Sequence, residues 1–282
     1  MNSLNYTKNV MRTNKLFAKK SFGQNFLIDD TILLNIVKSA DVKESDVVIE
    51  IGPGLGNLTH YILEKGAKVF AFEIDEDMVD MLNERFNTSN LQVIKQDILK
   101  VDLEEYIGGK KVKVIANLPY YITTPIIFKL LEYKENIQSI TIMIQKEVAE
   151  RMTSKPHTKD YGALTINTNI ESDVRKLFDV PNTSFIPAPK VTSSVVQIVP
   201  NSQKQEQFNI KDKQIFNELV KKAFASRRKK LANSLYNSNM AGLSKEQIEQ
   251  CILKIGQTLN CRAEELSLEE YVELSNEIVR LR

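Results

Sequence analysis

The sequence contains few of the side chains that most often bind transition metals or form disulfides. Its 282 residues include two cysteines, Cys251 and Cys261, and two histidines, His60 and His157. No CxxC pair occurs and the histidines lie far apart in the sequence, so neither a zinc site nor a disulfide-stabilised scaffold is expected. We therefore expect no bound metal and a reducing, cytoplasmic setting.

Long hydrophobic runs and an excess of one charge are also missing. The most apolar region, residues 112–131, is interrupted by Lys113, Asn117, Pro119 and Pro125, which a membrane-spanning helix tolerates badly. The N-terminus has no apolar signal core. Because the net charge is only +2, a nucleic-acid surface would have to come from local clustering of cations.

One such cluster is the N-terminal arm, residues 1–20. It carries cations and no acid, and the first acid in the chain is Asp29. The cations are Lys8, Arg12, Lys15, Lys19 and Lys20. Two interpretations stay open at this point, a solubilising disordered tail and an arm that contacts phosphates.

Strand-like and helix-like segments alternate from about residue 45 to residue 145. Short runs rich in β-branched or aromatic residues, such as 47–51 and 68–73, are each followed by a segment with helical periodicity. This alternation predicts an α/β fold with a Rossmann-like parallel sheet, in which ligands bind at the carboxyl ends of the strands. We expect this domain to span residues 21–200.

The pattern changes after residue 160. Residues 164–170, 173–178 and 193–199 look like strands without long intervening helices, which predicts an antiparallel end to the sheet. Residues 201–207 are polar and have no apolar face, so they are interpreted as a linker. Apolar side chains then recur at helical spacing, and we expect a small all-helical C-terminal domain over residues 208–282.

A glycine-rich turn follows the first strand of the alternating region. Residues 52–57, GPGLGN, resemble the dinucleotide fingerprint but have asparagine in place of its third glycine. Glu73 ends the next strand about 20 residues later, where a carboxylate binds ribose hydroxyls, and Asp97 could pair with an adenine edge. A nicotinamide cofactor is one interpretation. S-adenosylmethionine fits better, because it has no pyrophosphate and its cationic groups suit an acid such as Glu50 beside the turn.

The motif Asn117-Leu118-Pro119-Tyr120 ends a later strand of the same region. The Asn117 amide oxygen and the Pro119 carbonyl can accept hydrogen bonds from a planar amino group, while the Tyr120 ring stacks on its face. Such bonds aim the nitrogen lone pair at a methyl donor, which is catalysis by positioning without a strong base. A base would have to be flipped out of a helix at a cost of a few kcal/mol, and stacking on Tyr120 and Phe185 would offset that.

Six separated segments of the chain have the order and character of one family's motifs. They are residues 22–27 (FGQNFL), 50–56 (EIGPGLG), 117–120 (NLPY), 145–151 (QKEVAER), 185–194 (FIPAPKVTSS) and 224–231 (FASRRKKL). In this respect the chain resembles the KsgA family of ribosomal RNA adenine dimethyltransferases over nearly its whole length. It departs from that family at Tyr121, where asparagine is frequent.

The resemblance implies a class I methyltransferase that uses S-adenosylmethionine. It implies transfer of two methyl groups to N6 of each of two adjacent adenines near the 3′ end of small-subunit (16S) rRNA, in the assembling subunit. The implied donor pocket is lined by Asn25, Leu27, Gly52, Glu73, Asp97 and Asn117. The target base is implied to meet Asn117, Pro119 and Tyr120, and we expect the protein to act as a monomer.

The C-terminal region contains a second basic cluster, residues 221–230, which has no acid. Its cations are Lys221, Lys222, Arg227, Arg228, Lys229 and Lys230. A charge run of this kind is usually a solvated helix face. In a near-neutral chain that resembles an RNA enzyme, contact with rRNA phosphates is favoured, so we expect a basic, RNA-binding helix here.

Three other functions were compared with this interpretation. A large-subunit rRNA methyltransferase of the macrolide-resistance type is disfavoured by Leu118, where that group has isoleucine, and by the Gly-Leu-Gly turn. A mainly non-catalytic RNA-binding assembly factor is disfavoured by the intact turn and by the intact motif at 117–120. A protein glutamine methyltransferase would also bind an amide amine, but the basic cluster argues against it.

Overall fold

The computed structural model describes residues 2–14, 16–19 and 22–282. Its strands are Phe26–Leu27 (β1), Val47–Ile51 (β2), Lys68–Glu73 (β3), Leu91–Lys95 (β4), Val112–Asn117 (β5), Ile137–Gln145 (β6), Ser172–Val180 (β7), Phe185–Ile186 (β8) and Ser193–Pro200 (β9). Its α-helices are Ser3–Thr13 (α1), Asp30–Ser39 (α2), Asn57–Leu63 (α3), Glu76–Arg85 (α4), Glu104–Ile107 (α5), Thr123–Leu131 (α6), Lys146–Met152 (α7), Ala163–Asn169 (α8), Ser202–Phe208 (α9), Lys213–Phe224 (α10), Leu231–Asn237 (α11), Lys245–Lys254 (α12) and Leu268–Leu281 (α13). Within the described ranges, none of these helices is long and apolar enough to cross a membrane.

The main sheet has the strand order β4-β3-β2-β5-β6-β9-β7. From β4 to β6 the neighbouring strands are parallel, and β9 pairs antiparallel with β6. This confirms the predicted Rossmann-like parallel sheet with an antiparallel end. Because β2 lies between β3 and β5, the segments that follow Ile51, Glu73 and Asn117 emerge side by side at the carboxyl ends of the strands.

The central strands are covered on both faces. Val48 of β2 packs with Leu33 of α2 and Ile62 of α3 in one apolar cluster. Phe72 of β3 meets the ring of Tyr106 of α5 edge-on, with 5.0 Å between ring centroids. Burial on both faces explains why these strands are continuous apolar runs in the sequence rather than alternating ones.

One predicted strand, residues 164–170, is instead the helix α8. Its threonines favour a strand in isolation, but here their hydroxyls find hydrogen-bond partners in the helical conformation, and that of Thr165 donates to the Arg151 carbonyl at 2.5 Å. Thr168 donates to the Leu164 carbonyl at 2.8 Å, and the Gly162 N–H donates to the Thr165 hydroxyl at 3.1 Å. The prediction was wrong because tertiary packing overrides the preference of β-branched residues for strands.

The predicted linker, residues 201–207, is also helical and forms most of α9. Glutamine, lysine and glutamate are good helix formers even without an apolar face. Lys204 Nζ donates to the Ser172 carbonyl at 2.9 Å and pairs with Asp173 at 2.6 Å, and Phe208 packs against a helical core. A few such anchors at its ends suffice to hold this polar helix.

The chain separates into two compact units. One contains the residues up to 149 together with 174–200, and the other contains 150–173 together with 201–282. The helical unit has its own apolar core, which includes Phe216, Leu219 and Tyr271. The predicted division at residue 200 differs from this one, because residues 150–173 group with the C-terminal helices. The C-terminal region beyond residue 208 is helical, as predicted.

The N-terminal arm contains a helix rather than a disordered tail. Ser3, Thr7 and Val10 form the buried face of α1, and Lys8 and Arg12 are exposed on it. Lys19 Nζ pairs with Asp75 and Asp77, each at 2.6 Å. The tail interpretation is therefore wrong for the described part of the arm. The predicted cations Lys15 and Lys20 lie outside the described residues.

Candidate functional site

A cavity of about 240 Å³ lies at the carboxyl ends of β2, β3 and β5. It is lined by all six residues that the resemblance implies for the donor pocket, which are Asn25, Leu27, Gly52, Glu73, Asp97 and Asn117. Pro119, Tyr120 and Tyr121 line the same cavity. The predicted donor residues and the predicted target motif are thus brought together, while their individual roles stay predictions.

The glycine turn leaves β2 with a backbone that ordinary side chains rarely adopt. Gly52 and Gly54 have φ of +67° and +54°. A Cβ on Gly52 would lie 3.5 Å from the Asn117 carbonyl oxygen, and one on Gly54 would lie 3.1 Å from the ring of Phe26. Glycine therefore suits both positions because of the left-handed backbone, and at Gly54 a Cβ would also crowd the Phe26 ring, whereas the contact at Gly52 would be an ordinary one.

Glu73 holds the turn in place from the end of β3. One carboxylate oxygen accepts the Gly54 N–H at 3.1 Å, and the other accepts the N–H groups of Ile74 and Asp75 at 2.8 and 3.0 Å. Burial raises the pKa of Glu73, and these three donors oppose that effect. Since a carboxylate has about four acceptor sites, roughly one stays free for a ribose hydroxyl.

Glu50 is a second buried acid that lines the cavity. Its side chain is 1% exposed, and neither carboxylate oxygen accepts a hydrogen bond from any described residue. Burial raises the pKa of Glu50 to about 8, the nearby hydroxyl and N–H of Thr59 and the charge of Arg85 oppose that rise, and the charge of Glu73 adds to it. A buried acid without a partner suits a cationic ligand, so the cavity fits the ammonium and sulfonium groups of S-adenosylmethionine.

Asp97 lies beyond the end of β4, where it caps a short 3₁₀ turn over Ile98–Lys100. Its Oδ1 accepts the N–H of Leu99 at 3.0 Å. The preceding residue, Gln96, donates its N–H to the Glu73 carbonyl at 3.0 Å. The end of β4 is therefore tied to the end of β3, which keeps the two acidic side chains on the same cavity.

Asn117 has a fixed orientation in the wall of the cavity. Its Nδ2 donates to the carbonyl of Asn25 at 3.1 Å, and Asn25 Nδ2 in turn donates to the carbonyl of Gly23 at 3.1 Å. No described residue donates to Asn117 Oδ1. The amide is thus held through its donor side, and its acceptor side is left for an amino group.

The second predicted acceptor, the Pro119 carbonyl, is already used. It accepts the N–H of Ile122 at 3.3 Å and the hydroxyl of Thr123 at 3.2 Å, which secures the start of α6. The Leu118 carbonyl accepts no hydrogen bond from a described residue, although the Leu118 N–H donates to Met143 at 3.2 Å. The prediction named the wrong carbonyl. The two carbonyls could not be told apart from the sequence, because the one that the first turn of a helix occupies depends on the residue at which the helix begins, and such boundaries are poorly predicted.

The aromatic residues differ from prediction in one case. Tyr120 is half-buried, and its hydroxyl lies 2.7 Å from Ser193 Oγ. Phe185, predicted as the second stacking ring, is 3% exposed, packs in the apolar core and pairs with Leu27 in a two-stranded sheet. In this structure it offers no face to a base. The exposed ring on the cavity is Tyr121, which is 59% exposed.

The basic cluster at 221–230 is not one helix. Helix α10 ends at Phe224, and the last four cations lie in the connection to α11. Arg227 donates to the carbonyls of Lys159 and Tyr161 at 2.6 and 3.0 Å. The prediction of one continuous helix was therefore wrong, and Arg227 is exposed but tied by these bonds to the segment at 159–161, while its contact with RNA stays a prediction.

Two further cations of this cluster are bound within the protein. Lys222 pairs with Glu218 and donates to the Asn239 carbonyl at 2.8 Å, and Lys230 donates to Asn260 at 2.6 Å. Arg227 and Lys230 are exposed but hydrogen-bonded, whereas the remaining three are exposed and have neither a side-chain hydrogen bond nor an ion pair with a described residue. They are Lys221, Arg228 and Lys229.

The described residues contain no group of three or more histidine, cysteine or acidic side chains that could hold a metal ion. Cys251 and Cys261 are buried free thiols.

Comparison with known proteins agrees with the geometry. The family model "Ribosomal RNA adenine dimethylase" matches residues 15–279. Ribosomal RNA small subunit methyltransferase A of Alkaliphilus metalliredigens is 46% identical, over 96% of this chain and 96% of that protein.

Solved structures show the same fold. A dimethyladenosine transferase from Plasmodium falciparum has a TM-score of 0.71 and 27% identity, and the match covers 87% of this chain and 94% of that one. The 23S rRNA methyltransferase ErmE has a TM-score of 0.68 at 22% identity, over 90% of this chain and 100% of its own. At that identity the second likeness concerns the fold alone.

Proposed function

Because this chain belongs to the ribosomal RNA adenine dimethylase family, we propose that it dimethylates N6 of two adjacent adenines near the 3′ end of small-subunit (16S) rRNA. S-adenosylmethionine is the cofactor, and when bound it supplies an electrophilic methyl group. The substrate is the rRNA within the assembling small subunit, and the protein acts as a cytoplasmic monomer. The full-length likeness to small subunit methyltransferase A supports the choice of subunit.

The observation that carries this proposal is the orientation of Asn117. Its Nδ2 is bound to Asn25, so its free Oδ1 and the free Leu118 carbonyl are the two acceptors available to an amino group. Accepting both amino hydrogens would turn the nitrogen lone pair out of conjugation with the adenine ring. Positioning of this kind contributes to catalysis without a strong base, and the methylated nitrogen then loses its proton to solvent.

The other residues of the cavity divide between base and donor. Tyr120 gives the flipped adenine a stacking surface, with its ring held by the hydroxyl contact to Ser193. Glu73 has acceptor capacity for a ribose hydroxyl, and Glu50 offers a buried acid to the cationic part of the donor. Gly52 and Gly54 leave space for the donor beside β5.

Three exposed cations of the helical unit are proposed to contact rRNA phosphates. These are Lys221, Arg228 and Lys229, whose side chains have neither a hydrogen bond nor an ion pair with a described residue. The other three cations of the cluster are proposed to hold the surface on which these phosphate-contacting residues lie, since each is bound to a neighbouring carbonyl or amide. They are Lys222, Arg227 and Lys230.

Mass spectrometry of small-subunit rRNA tests the proposal. Cells that lack the protein should lack dimethyladenosine near the 3′ end, and the parent sequence should restore it. Asn117→Ala should not restore it, whereas Asn87→Ala, the same change at an exposed site, should do so. Unchanged small-subunit rRNA in the deletion strain, or loss of a modified adenine only from large-subunit rRNA, would overturn the assignment.

A further inference from the structure

The N-terminal helix α1 lies outside the family match, which begins at residue 15. It nevertheless contacts the donor side of the cavity. Its inward face is formed by Ser3, Thr7 and Val10, at the i, i+4, i+7 spacing of one side of a helix. Val10 packs in an apolar cluster with Phe26 and Leu55, and both of those residues line the cavity.

Asn57 connects this helix to the glycine turn. It is the residue that stands in place of the fingerprint's third glycine, and it is 5% exposed. Its Nδ2 donates to Thr7 Oγ1 and to the Leu27 carbonyl, both at 2.9 Å. Its Oδ1 accepts from Arg85 at 3.1 Å. Every polar group of this buried amide is therefore satisfied, and one of its three bonds comes from α1.

Arg85 makes a second connection from α1 to the turn. Its Nη1 donates to the Leu55 carbonyl at 2.6 Å, in the middle of the glycine turn. Its guanidinium carbon lies 3.7 Å from the centroid of the Tyr6 ring. The Tyr6 ring thus covers the cation that holds Leu55, while Thr7, the next residue of the helix, binds Asn57.

We propose that α1 is part of the donor-binding site, with Tyr6 and Thr7 as positioning residues that hold the glycine turn through Arg85 and Asn57. Neither residue lines the cavity, so each acts through another side chain. A turn held in its binding conformation before the donor arrives needs less ordering on binding, which raises affinity. The inference depends on the bound donor and not on which adenines are methylated.

The matched variants are Thr7→Val, Thr7→Ser and Thr13→Val. Thr7→Val keeps the shape of the side chain but removes the acceptor for Asn57, whereas Thr7→Ser keeps the hydroxyl. Thr13→Val makes the same change on the exposed face of α1. Calorimetric titration with S-adenosylmethionine should show an affinity about three- to tenfold weaker for Thr7→Val, the usual size of one hydrogen bond, and unchanged for the other two.

A second variant tests the other connection. Tyr6→Leu keeps an apolar side chain but removes the ring over Arg85, and it should also weaken donor affinity by about three- to tenfold. The KM for S-adenosylmethionine should rise in both variants, while the KM for small subunits should not change. These separate readouts distinguish a donor-site role from a general loss of activity.

Thermal unfolding without donor separates positioning from plain stabilisation. A lower midpoint in Thr7→Val with unchanged donor affinity would overturn the proposal and leave α1 as a stabilising helix only. Equal weakening in Thr7→Ser and Thr7→Val would also overturn it, because the hydroxyl would then not be the cause. A folded Thr7→Val protein with weakened donor binding, rescued by serine, supports it.

Discussion

Replacing Glu50 by glutamine removes an acid that is buried without a hydrogen-bond partner among the described residues. The two side chains have nearly the same shape, so packing is kept. Only the ability to ionise is lost. The difference between the two proteins therefore measures how much the folded state is destabilised when the Glu50 carboxyl group loses its proton.

The structure sets both the sign and the size of the effect. The pKa of Glu50 is raised from its ordinary value of 4.5 to about 8 by burial, so the folded state holds the proton more tightly than the unfolded chain. The contribution of Glu50 to the free energy of unfolding is then fully present below about pH 4.5 and is lost as the pH rises towards 8. A shift of this size corresponds to roughly 3–5 kcal/mol.

Urea unfolding without donor, from about pH 5 to about pH 9, measures this effect. The free energy of unfolding of Glu50→Gln should rise relative to the parent across that range, by roughly 3–5 kcal/mol in total. Glu105→Gln, a change at an exposed carboxylate, is the matched control and should show no comparable trend. A pH-independent difference between Glu50→Gln and the parent would refute the reasoning, because Glu50 would then be ionised at no cost in the folded state.

Three further changes test the cavity and the basic surface. Glu73→Gln should weaken S-adenosylmethionine binding by about ten- to a hundredfold in calorimetry. Glutamine has one oxygen in place of two, so it cannot accept all three N–H groups that the Glu73 carboxylate accepts. Tyr120→Ala should slow single-turnover methylation by about ten- to a hundredfold through lost stacking, whereas Tyr120→Phe keeps the ring and most of the rate. Joint replacement of Lys221, Arg228 and Lys229 by glutamine should reduce the slope of log affinity against log salt by about two to three.

Each of these expectations has a result that would contradict it. Donor affinity in Glu73→Gln equal to that of the parent would mean that the carboxylate neither holds the turn nor contacts the donor. Equal rates for Tyr120→Ala and Tyr120→Phe would mean that stacking on the Tyr120 ring does not contribute to the methylation rate. For the cations, the control is Lys110→Gln with Lys111→Gln, at two exposed sites of the other unit. The control removes two charges and the variant three, so an equal change of slope per charge removed would mean that total charge, and not this surface, controls binding.

The parts of the fold that were predictable depend on local pattern. The parallel sheet was predictable because buried apolar strands alternate with helices. The turn was predictable because closely spaced glycines after a strand indicate a left-handed backbone. The strand prediction at 164–170 failed because the hydroxyls of Thr165 and Thr168 find partners in a helical conformation, Thr168 at the Leu164 carbonyl and Thr165 at the Arg151 carbonyl. A pattern of β-branched residues does not reveal such bonds.

The cavity, too, was predictable in part from the sequence. Gly52, Glu73, Asp97 and Asn117 could be predicted as cavity residues because they lie at or just after the ends of adjacent parallel strands, where such a sheet gathers its ligand contacts. Leu27 belongs to a separate two-stranded sheet and Asn25 directly precedes it, and only the family resemblance pointed to them. Phe185 was misassigned because burial depends on β1, which is distant in sequence. The role of the Pro119 carbonyl was misassigned because the start of α6 consumes it. The contact of Phe185 is long-range and has no signature in a single sequence, whereas the bonds to the Pro119 carbonyl are local and depend on where α6 begins, which the sequence pattern locates poorly.

Mass-spectrometric counting of methyl groups on isolated ribosomal subunits tests the central claim most directly. Purified protein and S-adenosylmethionine, incubated with unmethylated small subunits, should produce two adjacent dimethyladenosines near the 3′ end of the 16S rRNA. Asn117→Ala should produce none even at a donor concentration that saturates its site in calorimetry, whereas Asn87→Ala should produce both. Methylation of large-subunit rRNA instead, or full dimethylation of small subunits by Asn117→Ala, would contradict the account.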